Sequence, residues 1–129
     1  MFSLFQKFKM KFLVILSVVV ALAFAETYST AHDNLDVESI VMNPKKLKET
    51  THCFLDKGGC DKVTSYFRSI LPELTETACA KCTPAQKHLL KRYLEEVKKT
   101  SVDDIKALMK KYDPESKYYM ALIAALNDF

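Results

Sequence analysis

Apolar residues recur at helical spacing along most of the chain, and the alternation of apolar and polar residues that is typical of strands is absent. The segment from Cys60 to Ile70 is representative, because Val63, Tyr66, Phe67 and Ile70 follow an i, i+3, i+4, i+7 pattern. No repeat or linker divides the sequence after residue 25. The pattern therefore predicts an all-α fold of five or six short amphipathic helices in a single domain.

Local signals predict where these helices begin and end. Thr83-Pro84-Ala85-Gln86 has the form of a capping box with proline at the first helical position, which makes it the clearest boundary. Pro72 is expected to kink or restart the helix that begins near Cys60. The predicted helices are Asp36 to Val41, Asn43-Pro44 toward Leu55, Cys60 to about Ile70 with a continuation to Ala78, one opened by Thr83, one opened by Ser101, and one from Asp113-Pro114-Glu115 to about Leu126.

The first 25 residues differ from the rest of the chain. They contain 19 apolar residues, three lysines and no acidic residue. A basic start, an apolar run from Phe12 to Phe24 and the small residues Ala23 and Ala25 predict a signal peptide at residues 1–25 and a secreted domain at residues 26–129. The run is shorter than the roughly 20 residues that a transmembrane helix needs, so we expect no stable membrane anchor.

The formal charge of +3 belongs entirely to this N-terminal segment. The remaining 104 residues contain 16 basic and 16 acidic residues, so the predicted domain is neutral. A protein that binds nucleic acid carries its basic charge on the folded domain. We therefore expect no nucleic-acid partner.

Four cysteines form a C-x6-C-x18-C-x2-C array, which in a short exported chain predicts two disulfides. Three pairings are possible, and spacing alone does not choose among them. Gly58 and Gly59 lie inside the first interval and favour a small ring closed by Cys53 and Cys60, because glycine permits tight backbone turns. The cysteines are Cys53, Cys60, Cys79 and Cys82.

The residues that could support catalysis or metal binding are few. Structural zinc on the four cysteines and a redox pair at Cys79 and Cys82 are alternatives to disulfides, but the oxidising destination and the lack of a preceding strand disfavour both. A Cys/His dyad at His52 and Cys53 fails if the cysteine is paired. No nucleophile elbow, phosphate loop or metal-ligand motif occurs in the sequence. We expect neither an enzyme nor a cofactor or metal.

Bulky apolar side chains are abundant for a small helical domain. They could form one closed core, or short helices could enclose an apolar cavity that binds a small molecule. The segment from Tyr118 to Leu126 is apolar nearly all round, so we expect it to be deeply buried or to cover another apolar surface. Periodicity alone leaves these alternatives open.

The cysteine array and its flanking motifs resemble those of the insect chemosensory proteins, the OS-D or pherokine family, over about residues 28–119. The array with intervals of six, eighteen and two residues is the hallmark of that family, and the flanking motifs occur in the same order. These motifs are Tyr28-Ser29-Thr30 with Asp33-Asn34, Leu55-Asp56-Lys57-Gly58, Leu71-Pro72-Glu73, Cys79-Ala80-Lys81-Cys82, Gln86-Lys87 and Lys111-Tyr112-Asp113-Pro114.

The resemblance implies the disulfides Cys53–Cys60 and Cys79–Cys82 and about six helices around an internal hydrophobic channel. Such channels accept long acyl chains and other lipophilic semiochemicals. Tyr28 matches a tyrosine that borders the channel mouth in such proteins. The residues predicted to line the channel share the inward stripe of their helices: Ile40, Leu47, Val63, Tyr66, Phe67, Ile70, Leu90, Tyr93, Leu94, Val97 and Ile105.

The sequence departs from the family pattern at two places. Ile105 stands where many members carry a tryptophan, and the tail after Tyr118 is apolar where many carry lysines. We therefore expect a secreted carrier for a hydrophobic small molecule, with a protein partner possible at Tyr118 to Leu126. The alternative is a secreted developmental or defence factor that acts through protein contacts.

Overall fold

The computed structural model describes residues 27–128, so the predicted signal peptide lies outside the described residues. Within this range the secondary structure is entirely helical, and no helix is both long and apolar enough to cross a bilayer. The helices are α1 (Val37–Val41), α2 (Pro44–Phe54), α3 (Lys62–Glu76), α4 (Pro84–Thr100), α5 (Val102–Tyr112) and α6 (Tyr119–Leu126).

Side-chain caps explain where most helices begin. The Asn43 side chain accepts hydrogen bonds from two backbone N–H groups of the first turn of α2. Reciprocal capping boxes open α3, between Asp61 and Thr64, and α4, between Thr83 and Gln86. Each box satisfies donors that the first turn of a helix leaves free. The boundary predicted at Thr83 is therefore confirmed.

Of the two outcomes expected at Pro72, a restart of the third helix is wrong. The structure has one helix, α3, that begins at Lys62 because Asp61 caps it, and it continues past Pro72 to Glu76. Pro72 is solvent-exposed. A proline at an exposed position disturbs a helix least, because water can satisfy the carbonyl group that its missing N–H leaves free.

The predicted start of the last helix is also wrong. α6 begins at Tyr119, and residues 113–118 form a turn in which Ser116 has a φ of 54°. The buried carboxylate of Asp113 accepts hydrogen bonds from the backbone N–H groups of Lys117, Tyr118 and Tyr119, at 2.8, 3.1 and 3.0 Å. These three bonds hold the turn and position α6.

Both disulfides form as the family resemblance implies, Cys53–Cys60 and Cys79–Cys82. The reasoning from glycine is wrong, however, because neither glycine of the first ring has a positive φ. The left-handed residue in that ring is Asp56, with a φ of 59°. Space is tight at Gly58, where a Cβ atom would lie 3.1 Å from the Cβ atom of His52. All four sulfur atoms are paired, so no thiolate is free to ligate zinc.

The core is built around α4, which packs against α1, α5 and α6. On the other side, α2 packs against α1 and α3, and α3 also reaches α5. All six helices contribute buried apolar side chains, and Val97 on α4 and Leu126 on α6 are each only 1% exposed. Fully burying a side chain of this size stabilises the fold by about 1.5–3 kcal/mol.

Candidate functional site

Two neighbouring apolar cavities lie inside the helical domain. The first, which we call the α1-side cavity, is enclosed by α1, α2, α3 and α4 and has a volume of about 70 Å³. Its lining is apolar except for Thr50, Thr64 and Gln86. It includes six residues predicted from the sequence: Ile40, Val63, Phe67, Ile70, Leu90 and Tyr93.

The polar side chains of the α1-side cavity are largely engaged elsewhere. The Gln86 amide accepts from the backbone N–H of Thr83 at 2.9 Å and donates to the carbonyl oxygen of Ser29 at 2.9 Å. The Thr64 hydroxyl belongs to the capping box of α3. Among the described residues, the Thr50 hydroxyl has no such partner. A buried water needs two to four polar partners, so this wall suits a hydrocarbon better than water.

The second cavity, which we call the α6-side cavity, has a volume of about 60 Å³ and lies among α2, α3, α4, α5 and α6. Leu94 and Ile105, both predicted as lining residues, contribute to its wall. Tyr119 and Leu122 close it from α6, next to the Asp113 turn. The C-terminal helix is therefore part of the enclosure of this cavity.

The two cavities share a wall. Phe54 and Tyr93 meet edge to face in it, with ring centroids 5.4 Å apart and planes at 78°. Aromatic pairs favour this geometry, which adds about 0.5–1.5 kcal/mol to the burial of the rings. The five residues that line both cavities are Phe54, Leu71, Leu74, Leu90 and Tyr93.

A buried hydrogen-bond chain fixes the Tyr93 ring. The Thr51 hydroxyl donates to the Leu47 carbonyl oxygen at 3.0 Å, so at the 2.6 Å contact between the two hydroxyls it is Tyr93 that donates to Thr51. Burial raises the pKa of Tyr93 above its usual value, although the hydrogen bond with Thr51 opposes the shift. The hydroxyl consequently remains a neutral donor at physiological pH.

Four of the predicted residues do not line these two cavities. Leu47 and Val97 line a separate groove of about 330 Å³ that also contains charged side chains. The Tyr66 hydroxyl accepts a hydrogen bond from the backbone N–H of Ser29, and the Tyr28 hydroxyl donates to Glu73 at 2.9 Å. Burial, followed by the carboxylate of Glu73, raises the pKa of Tyr28.

The most important lining residues missing from the prediction are Leu71 and Leu74. They continue the apolar stripe of α3 beyond Ile70, so extending that stripe through Pro72 would have found them. Phe54 lies seven residues after Leu47 on the same face of α2, so extending that stripe would have found it as well.

Comparison with known proteins identifies the family. The model of the insect pheromone-binding family, A10/OS-D, matches residues 28–120. Allergen Tha p 1 of Thaumetopoea pityocampa is 33% identical over 112 residues, which cover 84% of this chain and 89% of that protein. Ejaculatory bulb-specific protein 3 of Drosophila melanogaster is 28% identical over 106 residues, covering 82% and 83% respectively.

A solved structure has the same fold. It is a chemosensory protein in complex with bromo-dodecanol, with a TM-score of 0.69 and 23% sequence identity, and the match covers 80% of this chain and all of that one. The resemblance inferred from the cysteine array and its flanking motifs is thus confirmed. The chain belongs to the insect pheromone-binding family A10/OS-D.

Proposed function

We propose that this protein is a secreted, non-enzymatic carrier that holds the hydrocarbon part of a lipophilic small molecule in the α1-side cavity. The observation that carries the proposal is the pair of adjoining apolar cavities at the centre of the domain. The family description as pheromone-binding and the bromo-dodecanol complex of a structural neighbour support it. Ligands of the same chemical class are long-chain alcohols, fatty acids and related semiochemicals.

The α1-side cavity can be reached from the protein surface. Ile40, Val63, Phe67 and Ile70 on its wall are only half-buried, so a ligand can enter by displacing a few side chains at the surface. Each methylene group moved out of water contributes about 0.8 kcal/mol. We expect a long chain to bind with micromolar affinity after the costs of binding are subtracted.

The surface inside this cavity is apolar, so the polar end of a ligand would stay at the rim, where Thr50 contributes to the lining. Thr50 is half-buried on α2, and its hydroxyl has no hydrogen-bond partner among the described residues. An alcohol or carboxylate group of a ligand would find a partner there while its chain extends inward. We therefore propose that Thr50 orients the polar end of the ligand.

A protein partner at the C-terminal helix is a second proposal, supported by the exposed face of α6. Leu122 and Leu126 are buried on this helix, whereas Met120 is 78% exposed. This role concerns a different face from the ligand cavities, so the two proposals are compatible.

The carrier proposal is tested by displacement of a fluorescent lipid probe, because the chain has no tryptophan to report binding itself. We expect dodecanol to displace the probe at micromolar concentration. Native mass spectrometry of the protein purified from its source should show a carried ligand and a mass four hydrogens lower than that of the reduced chain. Absence of probe binding under conditions in which the protein is folded would contradict the proposal.

A further inference from the structure

We infer that Tyr93 acts as a partition between the two cavities and thereby sets the length of the hydrocarbon chain that the protein accepts. This inference rests on the proposed carrier function. The inference adds a specificity-determining residue, because Tyr93 is part of the wall that a ligand longer than the α1-side cavity has to pass.

The position of the ring supports this role. Tyr93 lies on α4, is 7% exposed and contributes to the walls of both cavities. Its edge-to-face partner Phe54 is equally buried and also lines both. Replacement of the Tyr93 ring by a smaller aliphatic side chain would open a passage between voids of about 70 and 60 Å³.

The hydrogen bonds of the shared wall distinguish Tyr93 from its neighbours. Leu71, Leu74 and Leu90 are aliphatic and are held by packing alone. The Tyr93 hydroxyl, in contrast, is tied to α2 through Thr51. A ligand that moves the ring must break this buried bond, so the closed position is favoured until enough additional methylene groups are buried to compensate.

Phe54 is fixed through its backbone, whereas its ring is held by packing alone. Its carbonyl oxygen accepts hydrogen bonds from the Lys111 ammonium at 2.9 Å and from the Tyr112 hydroxyl, which join the end of α2 to the end of α5. The backbone of Phe54 is therefore fixed from two directions. Of the two rings, only Tyr93 is held by a hydrogen bond of its own, which a ligand that moves the ring has to break.

The experiment measures the affinity of the protein for a series of linear alcohols from octanol to octadecanol. In the wild type, affinity should rise about fourfold per methylene group and then stop rising at a break in the series. In Tyr93→Leu the break should move to longer alcohols, with hexadecanol bound about tenfold more tightly than by the wild type. Tyr118→Leu is the matched control, because Tyr118 lines neither cavity, and its break should stay at the wild-type length.

A second variant keeps the test independent of the folding of Tyr93→Leu. Thr51→Val removes the tether and retains the shape of the side chain, so the break should move in the same direction by a smaller amount. An unchanged break in Thr51→Val and in folded Tyr93→Leu overturns the partition while leaving the carrier function intact. Failure of the wild type to bind any alcohol overturns the carrier function, and the partition with it.

Discussion

The two cavities differ in how they are closed. The α1-side cavity has half-buried residues such as Ile40 and Phe67 in its wall, so it lies close to solvent. The α6-side cavity has both buried residues such as Ile105 and half-buried ones such as Leu94 in its wall, and it is covered by α6, a helix that the Asp113 carboxylate positions. Under the proposed carrier function, the first cavity would serve as the entrance, and the second, which a positioned helix covers, would serve as additional volume behind it.

This difference predicts that the two cavities affect different sets of ligands. Residues on the α1 side should affect the binding of every ligand, since all must enter there. Residues on the α6 side should affect only ligands long enough to pass the shared wall. Residues of the shared wall itself should affect stability most, because they pack on both sides.

The largest expected effect is on stability. Leu74→Ala removes a 4% exposed side chain from the shared wall and enlarges both cavities, so the free energy of unfolding should fall by about 2–5 kcal/mol. Ile70→Ala, on the same helix but half-buried and on one cavity only, should lower it by about 1 kcal/mol. Urea denaturation measures both values. Equal losses would show that the shared wall has no special place in the packing.

Filling each cavity separately tests the roles of entrance and reserve. Val63→Phe fills part of the α1-side cavity and should weaken the binding of all alcohols by about tenfold, because about two methylene groups of the ligand can no longer be buried there. Ile105→Trp occupies the α6-side cavity and should weaken only the longest alcohols, while supplying a fluorescent reporter. Probe displacement measures both. Loss of short-chain binding in Ile105→Trp would contradict the division of roles.

The position of α6 should depend on pH through Asp113. Burial alone would raise the pKa of this carboxyl, but three backbone N–H donors lower it below its usual value. Because the pKa is lower in the folded protein than in the unfolded chain, the stabilisation is present above about pH 4 and is lost as the pH falls through the folded pKa.

Asp113→Asn tests this dependence with little change in side-chain size. The variant should be less stable than the wild type at neutral pH, and the difference should shrink below about pH 4. Thermal unfolding across the pH range measures it. A difference that is independent of pH would show that the charge of Asp113 does not support α6.

The smallest expected effect concerns the polar end of the ligand. Thr50→Val keeps the shape of the rim and removes the hydroxyl, so alcohol binding should weaken by about 0.5–1.5 kcal/mol, the usual contribution of one hydrogen bond. An alkane of equal length is the matched ligand control and should bind equally well to both proteins. Isothermal titration calorimetry provides the measurement. An equal change for alkane and alcohol would exclude a role for Thr50 in orienting the ligand.

Most helices, and the caps at Asn43, Thr83 and Ser101, could be predicted from the sequence, because capping and periodicity are local properties. The start of α6 could not, since it depends on the Asp113 side chain bonding to backbone groups up to six residues away. For the cavities, periodicity indicates that Leu47 and Val97 face inward. It does not indicate which neighbouring helices they meet, and they line a separate groove. How the interior of a helical domain is divided into cavities depends on contacts between helices, and the apolar periodicity of one helix does not determine those contacts.

A crystal structure of the protein with bromo-dodecanol tests the central claim most directly, because anomalous scattering locates the bromine atom without ambiguity. The account predicts that the chain lies in the α1-side cavity, between Val63 on α3 and Leu90 on α4, with its hydroxyl near Thr50. Bromine found only in the groove beside Leu47 and Val97, or against the exposed face of α6, would contradict it.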